Sequence, residues 1–257
     1  MPPTHTVDRA ELLAAFDAEL QPERFKDHGP NGLQVEGRAR IGSIVSGVTA
    51  SRALIEAAIE AGADAIFVHH GLFWRGQDGT VTGWMKQRLR LLLAHDINLF
   101  AYHLPLDAHV TLGNNAQLAR VLGLQATGRF GEQELGFIGG RAEGDGFDSA
   151  EALAAHVGSA LNRPVVLVQP AQAAIEKIAW CTGGAQGYFE DAIAAGAQAF
   201  ITGEISEPQA HYARECGVAF LACGHHATER YGAPALAGHV AAQLGLAHRF
   251  IDIDNPG

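Results

Sequence analysis

Short apolar runs alternate with amphipathic segments along this chain, a pattern typical of strands that alternate with helices. Residues 44–49 form one apolar run, and residues from about 51 to 61 place their apolar side chains on one helical face. Gly62 is expected to end that helix, and residues 65–68 form the next apolar run. The pattern predicts a strand–helix–strand unit whose two strands are parallel.

A second part of the chain repeats this pattern. Residues 177–182 predict a strand, residues 189–195 a helix, and residues 196–202 the helix stop and the next strand. We interpret the halves as a duplicated α/β unit. The alternative is chance similarity, because Ala- and Gly-rich βα units resemble one another.

The alignment of the two halves relates residues that could carry chemistry. Placing residues 60–68 over 194–202 sets Glu204 over His70, so Glu204 becomes a candidate site residue. Further matches pair residues 97–101 with 218–222 and residues 122–124 with 244–246. In the register of these further matches, Asp107 and Glu229 occupy corresponding loops.

The chain is therefore predicted to be an α/β protein with three segments. These are a first α/β repeat over residues 1–127, a connecting insert over 128–175 and a second α/β repeat over 176–257. Within the insert, the sequence predicts strands near 135–139 and 164–168 and a helix near 149–161, capped by Ser149 or Asp148. The insert carries no cluster of chemically active residues, and we expect it to be architectural.

Composition narrows the function classes. The chain has 257 residues, 47% of them hydrophobic, with 18 basic and 28 acidic residues and a formal charge of −10. This charge and the lack of a basic run argue against generic nucleic-acid binding. The partner that we expect is a small-molecule substrate. Membrane binding is not expected, because the apolar runs are short and the first residues do not resemble a signal peptide. We expect a cytoplasmic protein. The three cysteines lie in apolar segments, which favours a reducing compartment and core packing over disulfides.

Histidines and carboxylates gather after three of the apolar runs. His69 and His70 follow the run 65–68, and two further clusters occupy residues 103–109 and 225–229. A single histidine beside an apolar run is usually structural. Three such clusters at the ends of separate strands instead favour a divalent metal centre, which needs nitrogen and oxygen donors converging from distant segments.

Four motifs, in order and spacing, resemble the NIF3-like dinuclear metal proteins, which are often labelled GTP cyclohydrolase 1 type 2 homologues. The motifs are Asn31-Gly32-Leu33-Gln34-Val35, Val68-His69-His70-Gly71, His103-Leu104-Pro105-Leu106-Asp107 and Gly224-His225-His226-Ala227-Thr228-Glu229-Arg230. The resemblance covers nearly the whole chain and is to the short bacterial form. It implies a fold of two intertwined α/β repeats with a compact α/β insert, two divalent metal ions per subunit and a toroidal homohexamer.

The resemblance also implies the metal ligands. Carried over residue by residue, they fall on His69, His70, Asp107, His225 and Glu229. His226 competes with His225 for one ligand position, but the Gly-His-x-x-Thr-Glu pattern favours His225. His103 matches a position that lines the site, and we expect His109 either to support a ligand or to be structural.

Five donors cannot saturate two cations, so water or substrate must complete the coordination. Hydrolysis is the natural chemistry of such a centre, with His103 or Glu204 as the candidate proton carrier. Imidazole and carboxylate ligands suit Zn, Mn or Fe. Two hypotheses follow: a metal-dependent hydrolase acting on a nucleotide or a related phosphorylated or cyclic amide substrate, or a non-enzymatic metal-binding regulatory or metal-handling scaffold. A P-loop or nicotinamide enzyme is disfavoured because neither glycine-rich motif is present.

Overall fold

The structure is a computed structural model that describes residues 5–168 and 174–257. Residues 1–4 of the predicted first repeat and 169–173 of the predicted insert lie outside the described residues. Two compact units divide the chain. The first unit contains the described residues up to Gly113 together with Gly232–Asp254, and the second contains Asn114–Tyr231 together with Asn255–Gly257. The predicted repeat boundaries concern sequence similarity and remain a prediction.

Helices and strands alternate along the chain, as the apolar pattern predicts. Within the described residues the strands are β1 (Val7–Asp8), β2 (Gly32–Val35), β3 (Arg40–Ile41), β4 (Ser43–Thr49), β5 (Ala65–His70), β6 (Asn98–Ala101), β7 (Leu124–Phe130), β8 (Gly136–Arg141), β9 (Val166–Val168), β10 (Ile178–Trp180), β11 (Ala199–Thr202), β12 (Ala219–Ala222) and β13 (Ala247–Phe250). The α-helices are α1 (Arg9–Leu20), α2 (Arg52–Glu60), α3 (Gly83–Ala94), α4 (Leu104–Ala108), α5 (Asn114–Leu122), α6 (Ala150–Leu161), α7 (Phe189–Ala194), α8 (Glu207–Cys216), α9 (His225–Glu229) and α10 (Gly232–Leu244).

The first unit is built on a sheet with the strand order β13-β4-β5-β6-β2. The pairs β13–β4, β4–β5 and β5–β6 are parallel, and β2 pairs antiparallel with β6. Neighbouring residues of β5 point to opposite faces, so Phe67 packs in a core with α1 and α10, whereas Ile66 packs in a core with α2 and α3. Because both faces are covered, the middle strands are apolar throughout.

The second unit has a sheet with the order β7-β8-β10-β11-β12-β9 within the described residues. The strands β10, β11 and β12 are parallel neighbours, as the repeat predicts, and the outer pairs are antiparallel. Helix α6 packs on this sheet through Leu153 and Val157. Its first turn is capped by Ser149, whose hydroxyl accepts a hydrogen bond of 3.2 Å from the amide of Ala152.

The cysteines are free thiols that differ in burial. Cys181 and Cys223 are buried, as predicted, whereas Cys216 is exposed at the end of α8. The prediction of core packing is therefore wrong for Cys216, because the last residue of a surface helix can face water even within an apolar segment. Among the described residues, no helix has the length and apolar character needed to cross a membrane.

Candidate metal centre

Strand β5 carries His69 and His70 at its carboxyl end, where it leaves the buried middle of the first sheet. Gly71 follows at once, and a side chain there would overlap the amide group of Gln34. That amide group accepts a hydrogen bond of 2.8 Å from the backbone N–H of Leu72. Gln34, in the motif over residues 31–35, thus fixes the loop that follows the histidine pair.

The buried ring of His69 has one nitrogen committed to the backbone. Its Nδ1 lies 3.1 Å from the carbonyl oxygen of Tyr102, and a carbonyl only accepts, so Nδ1 carries the proton. In the neutral ring Nε2 then presents a lone pair, and it lies 3.5 Å from Oδ1 of Asp107. His70 Nδ1 lies 3.2 Å from the hydroxyl of Thr49. Metal-binding histidines commonly hold their second nitrogen in this way.

Helix α4 brings Asp107 to this place. The carbonyl of His103 accepts the backbone N–H groups of Leu106 at 2.9 Å and Asp107 at 3.2 Å, and Pro105 in the first turn favours the helix start. The single turn therefore folds immediately after β6 and its buried carboxylate reaches His69.

His103 belongs to a second polar network in the first unit. Its Nδ1 lies 2.7 Å from Oδ1 of Asp27, a buried residue that precedes β2. Burial raises the pKa of Asp27, but the hydrogen bond and charge of His103, with hydrogen bonds from Asn31 and Leu104, outweigh it and lower the pKa to about 2. The carboxylate is therefore ionised at neutral pH.

The three histidines of the first unit are close together. His69, His70 and His103 can each offer one nitrogen such that the three atoms lie within 4.8 Å of one another. The half-buried ring of Trp74 stands beside them, with its centroid 5.1 Å from that of His103 and 5.9 Å from that of His70. The three histidines could together hold a metal ion.

The second unit places His225 and Glu229 on the one-turn helix α9. Gly224, with φ of 95°, makes the turn from β12 into this helix. The spacing of four residues puts both side chains on one face, and His225 Nε2 lies 3.2 Å from Oε2 of Glu229. On its other side, His225 Nδ1 lies 2.6 Å from Oε1 of Glu204.

Two carboxylates thus flank one imidazole. Burial lowers the pKa of His225, but the hydrogen bonds and charges of Glu229 and Glu204 outweigh it and raise the pKa to about 9 in the metal-free protein. A cation that binds Nε2 must displace this proton. The arrangement of an imidazole held by one carboxylate and facing another is common among metal ligands.

Backbone packing holds Glu229 in place. The hydroxyl of Thr228 accepts a hydrogen bond of 2.9 Å from the amide of Gly183. Gly183 has φ of 72°, and a side chain at this position would overlap the carboxylate of Glu229. The loop after β10 therefore needs glycine both for its conformation and for its close approach to the candidate ligand.

Comparison with known proteins identifies the family of this chain. The profile of the family described as Duf34/NIF3 (NGG1p interacting factor 3) matches residues 7–256. The chain belongs to the DUF34/NIF3 family. A protein of Neisseria meningitidis serogroup A named "GTP cyclohydrolase 1 type 2 homolog" is 52% identical over 96% of this chain and 98% of its own length. A protein of the same name from Escherichia coli K12 is 43% identical, covering 96% and 98%.

Solved structures share the DUF34/NIF3 fold. One described as "protein ybgI, unknown function" is 43% identical, covers 98% of this chain and 100% of its own, and superimposes with a TM-score of 0.91. TTHA1606 from Thermus thermophilus is 33% identical, with the same coverage and a TM-score of 0.84. The resemblance seen in the sequence and the α/β fold that it implies are confirmed.

Within this DUF34/NIF3 chain, the predicted site residues fall into two groups. His69, His70, His103 and Asp107 lie together in the first unit, and Glu204, His225 and Glu229 lie together in the second. His109 holds the turn that follows α4, because its Nδ1 accepts a hydrogen bond of 3.0 Å from the amide of Leu112. His226 donates its backbone N–H to the carbonyl of Gly257 at 3.2 Å.

Sequence reasoning missed Asp27 and the hydrogen bonds that Asn31 and Gln34 of the motif over residues 31–35 make. A lone aspartate outside the histidine clusters carries no signal of its own. Its position four residues before Asn31, whose side chain donates to it at 2.9 Å, is the only hint in the sequence. The contact with His103 joins residues 76 positions apart, which only the fold reveals.

Proposed function

We propose that this protein is a dinuclear metal-dependent hydrolase whose two divalent ions per chain are bound by His69, His70, Asp107, His225 and Glu229. The observation that carries this proposal is the arrangement of the candidate ligands. His69 and His225 each commit Nδ1 to a protein acceptor while Nε2 faces a carboxylate, at 3.5 Å in one case and 3.2 Å in the other. In each pair a divalent cation could bind between the imidazole nitrogen and the carboxylate.

The donor set fits the proposed ions. Imidazole nitrogen and carboxylate oxygen suit Zn, Mn and Fe(II), and none of the five proposed ligands is a thiolate. When bound, two such ions would lower the pKa of a coordinated water and stabilise negative charge on the reacting oxygen.

The surrounding residues contribute orientation and proton transfer. The carbonyl of Tyr102 fixes the ring of His69, and Glu204 fixes the ring of His225. His103 and Glu204 remain the proposed proton carriers, because each lies beside candidate ligands and neither belongs to the proposed ligand set.

The proposed substrate is a nucleotide or a related phosphorylated or cyclic amide compound. The support is the printed name of the relatives, which points to ring opening of GTP, together with a centre suited to hydrolysis. Because the chain carries a formal charge of −10, it repels anionic substrates. The metal ions or local cations such as Arg75 and Arg230 must offset this repulsion. Turnover of such substrates should therefore vary with ionic strength and disappear on chelation.

Elemental analysis and a substrate screen test this proposal together. Metal-reconstituted protein should hold about two ions per chain, and one ion or none would overturn the dinuclear centre. The same sample is screened against nucleotides and phosphodiesters beside Asp107→Ala, which should lose turnover. Full metal content without turnover of any substrate would refute the hydrolase and favour the metal-binding scaffold.

We further propose a cytoplasmic homohexamer, on the basis of the family resemblance. A closed ring would place several copies of the centre around one cavity and restrict entry to small or flexible substrates. Light scattering at micromolar concentration should give six chain masses. A species with the mass of one chain would contradict the ring.

A further inference from the structure

Four hydrogen-bond donors surround the carboxylate of Asp27. Oδ1 accepts the backbone N–H of His28 at 2.6 Å and lies 2.7 Å from Nδ1 of His103. Oδ2 accepts the side-chain amide of Asn31 at 2.9 Å and the backbone N–H of Leu104 at 2.8 Å. Asp27 is 8% exposed, so these protein groups stand in place of water.

The proton on His103 follows from these contacts. Each carboxylate oxygen already accepts from a backbone N–H, which can only donate. The low pKa of Asp27 supports the same conclusion, because an ionised carboxylate is only an acceptor. The imidazole must therefore donate from Nδ1, which leaves Nε2 without a proton in the neutral ring.

The backbone of His103 is held by the same network. Its N–H donates to Oδ1 of Asn31 at 2.7 Å, and the side-chain N–H of Asn31 donates in turn to Oδ2 of Asp27. Ring and main chain are therefore both fixed from the segment before β2. The ring centroid lies 4.9 Å from that of His69 and 5.7 Å from that of His70.

We propose that Asp27 is a positioning residue that holds His103 as the Nδ1–H tautomer, so that Nε2 is kept as a proton acceptor beside His69 and His70. The proton-transfer part of this role rests on the proposed hydrolase. In it, Nε2 takes a proton from the attacking water as the oxygen bonds to the substrate, and then gives that proton to the leaving group. The hydrogen bond by which Asp27 fixes the tautomer of His103, called the lock below, concerns only this chain's own residues. It is the counterpart in the first unit of the contact between Glu204 and His225.

Nitrogen-15 NMR of metal-free, histidine-labelled protein tests the lock without activity. The His103 signals, assigned with His103→Gln, should show a protonated Nδ1 and an unprotonated Nε2 in the neutral ring. Asp27→Asn should convert about half or more of the neutral ring to the Nε2–H form, because asparagine offers a single acceptor oxygen. A wild-type ring with its proton on Nε2 would overturn the proposal whatever the variant does.

Asp64→Asn is the matched control. Asp64 accepts the backbone N–H groups of Gly42 at 2.8 Å and Ser43 at 3.0 Å. It is a partly buried residue that, like Asp27, accepts from two backbone amides, and its charged partner is Arg38 instead of a histidine. Its substitution should leave the His103 spectrum unchanged. A change as large as that in Asp27→Asn would mean that the tautomer responds to general destabilisation, which would refute the lock.

Kinetics of the metal-loaded protein test the consequence. Asp27→Asn should lower kcat about 10- to 100-fold, with metal content unchanged and KM within about threefold. Asp64→Asn should keep wild-type kcat. Equal kcat in Asp27→Asn and wild type would refute the role in proton transfer. If wild type turns over no substrate, the proposed hydrolase fails, whereas the NMR spectrum still decides the lock.

Discussion

The two units place a histidine and a carboxylate four residues apart at the start of a one-turn helix, yet the two pairs behave differently. In the second unit His225 Nε2 faces Glu229 directly, at 3.2 Å. In the first, His103 turns to Asp27, and the helix carboxylate Asp107 faces the strand residue His69 instead. Similar backbone therefore carries different pairings, because the neighbours of each helix differ.

The supporting carboxylates also differ in burial. The side chain of Asp27 is 3% exposed, whereas that of Glu204 is 46% exposed. Water can replace an exposed partner at little cost, but a buried donor that loses its acceptor stays unsatisfied. We expect the first unit to depend on its supporting carboxylate for stability, and the second to use its carboxylate mainly for orientation.

The largest expected effect is a loss of metal affinity. We expect the loss to be equally large whether the substituted ligand lies in the first unit or in the second. His70→Ala and Glu229→Ala each remove a proposed ligand and should weaken metal affinity by more than about 100-fold, beyond the loss typical for supporting residues. The fold should persist, because the apolar cores and not the ions hold the sheets. Elemental analysis and circular dichroism measure the two quantities separately.

His109→Ala is the control for this pair and should keep its metal, since that ring accepts a hydrogen bond from Leu112 in the turn after α4 and is not a proposed ligand. Metal content that survives both ligand substitutions would show that the ligand assignment is wrong. Loss in only one of them would mean that one unit alone binds the ions.

Replacing the supporting carboxylates should separate the units. Asp27→Ala leaves buried donors, including the amide of Leu104, without their hydrogen-bond acceptor. It should therefore lower the free energy of unfolding by about 3 kcal/mol. Glu204→Ala should change it by less than about 0.5 kcal/mol. Urea unfolding of the metal-free variants measures both, and the reverse ranking would remove the proposed difference between the units.

Acid should reveal the same contribution of Asp27. Its pKa is about 2 in the folded protein, against an ordinary value of 3.8. A lowered carboxyl pKa stabilises the fold above the ordinary value, and this stabilisation is lost as pH falls through the folded pKa. The difference in unfolding free energy between wild type and Asp27→Asn should therefore shrink by about 2 kcal/mol between about pH 5 and pH 2. A difference that stays constant would contradict the ionised state of Asp27.

A smaller loss of stability than that of Asp27→Ala is expected in the glycine loop of the second unit. Gly183→Ala meets both a positive φ and the carboxylate of Glu229, and should cost about 1 to 2 kcal/mol in unfolding free energy while lowering metal affinity. Gly184→Ala is the matched control, because its new methyl group would lie in ordinary contact, 3.4 Å from the His225 ring. Equal behaviour of the two variants would show that the close approach to Glu229 is unimportant.

The sequence by itself determined the alternation of elements and the strand ends that carry the candidate site residues. Residues 44–68 predict a strand, a helix and a parallel strand, which the structure shows as β4, α2 and β5. The spacing of His225 and Glu229 predicts a shared helical face, and they lie on α9. Such features are local, because period and turn chemistry act over a few residues.

The tertiary structure alone decided which partners the site residues have. Helix α10 and strand β13 return to the first unit although they follow the second in the chain, and β13 pairs with β4, about 200 residues away. Asp27 reaches His103 in the same way, across 76 residues. A hydrogen bond between distant segments depends on burial and on the packing of whole sheets, and these properties leave no period or spacing in the sequence.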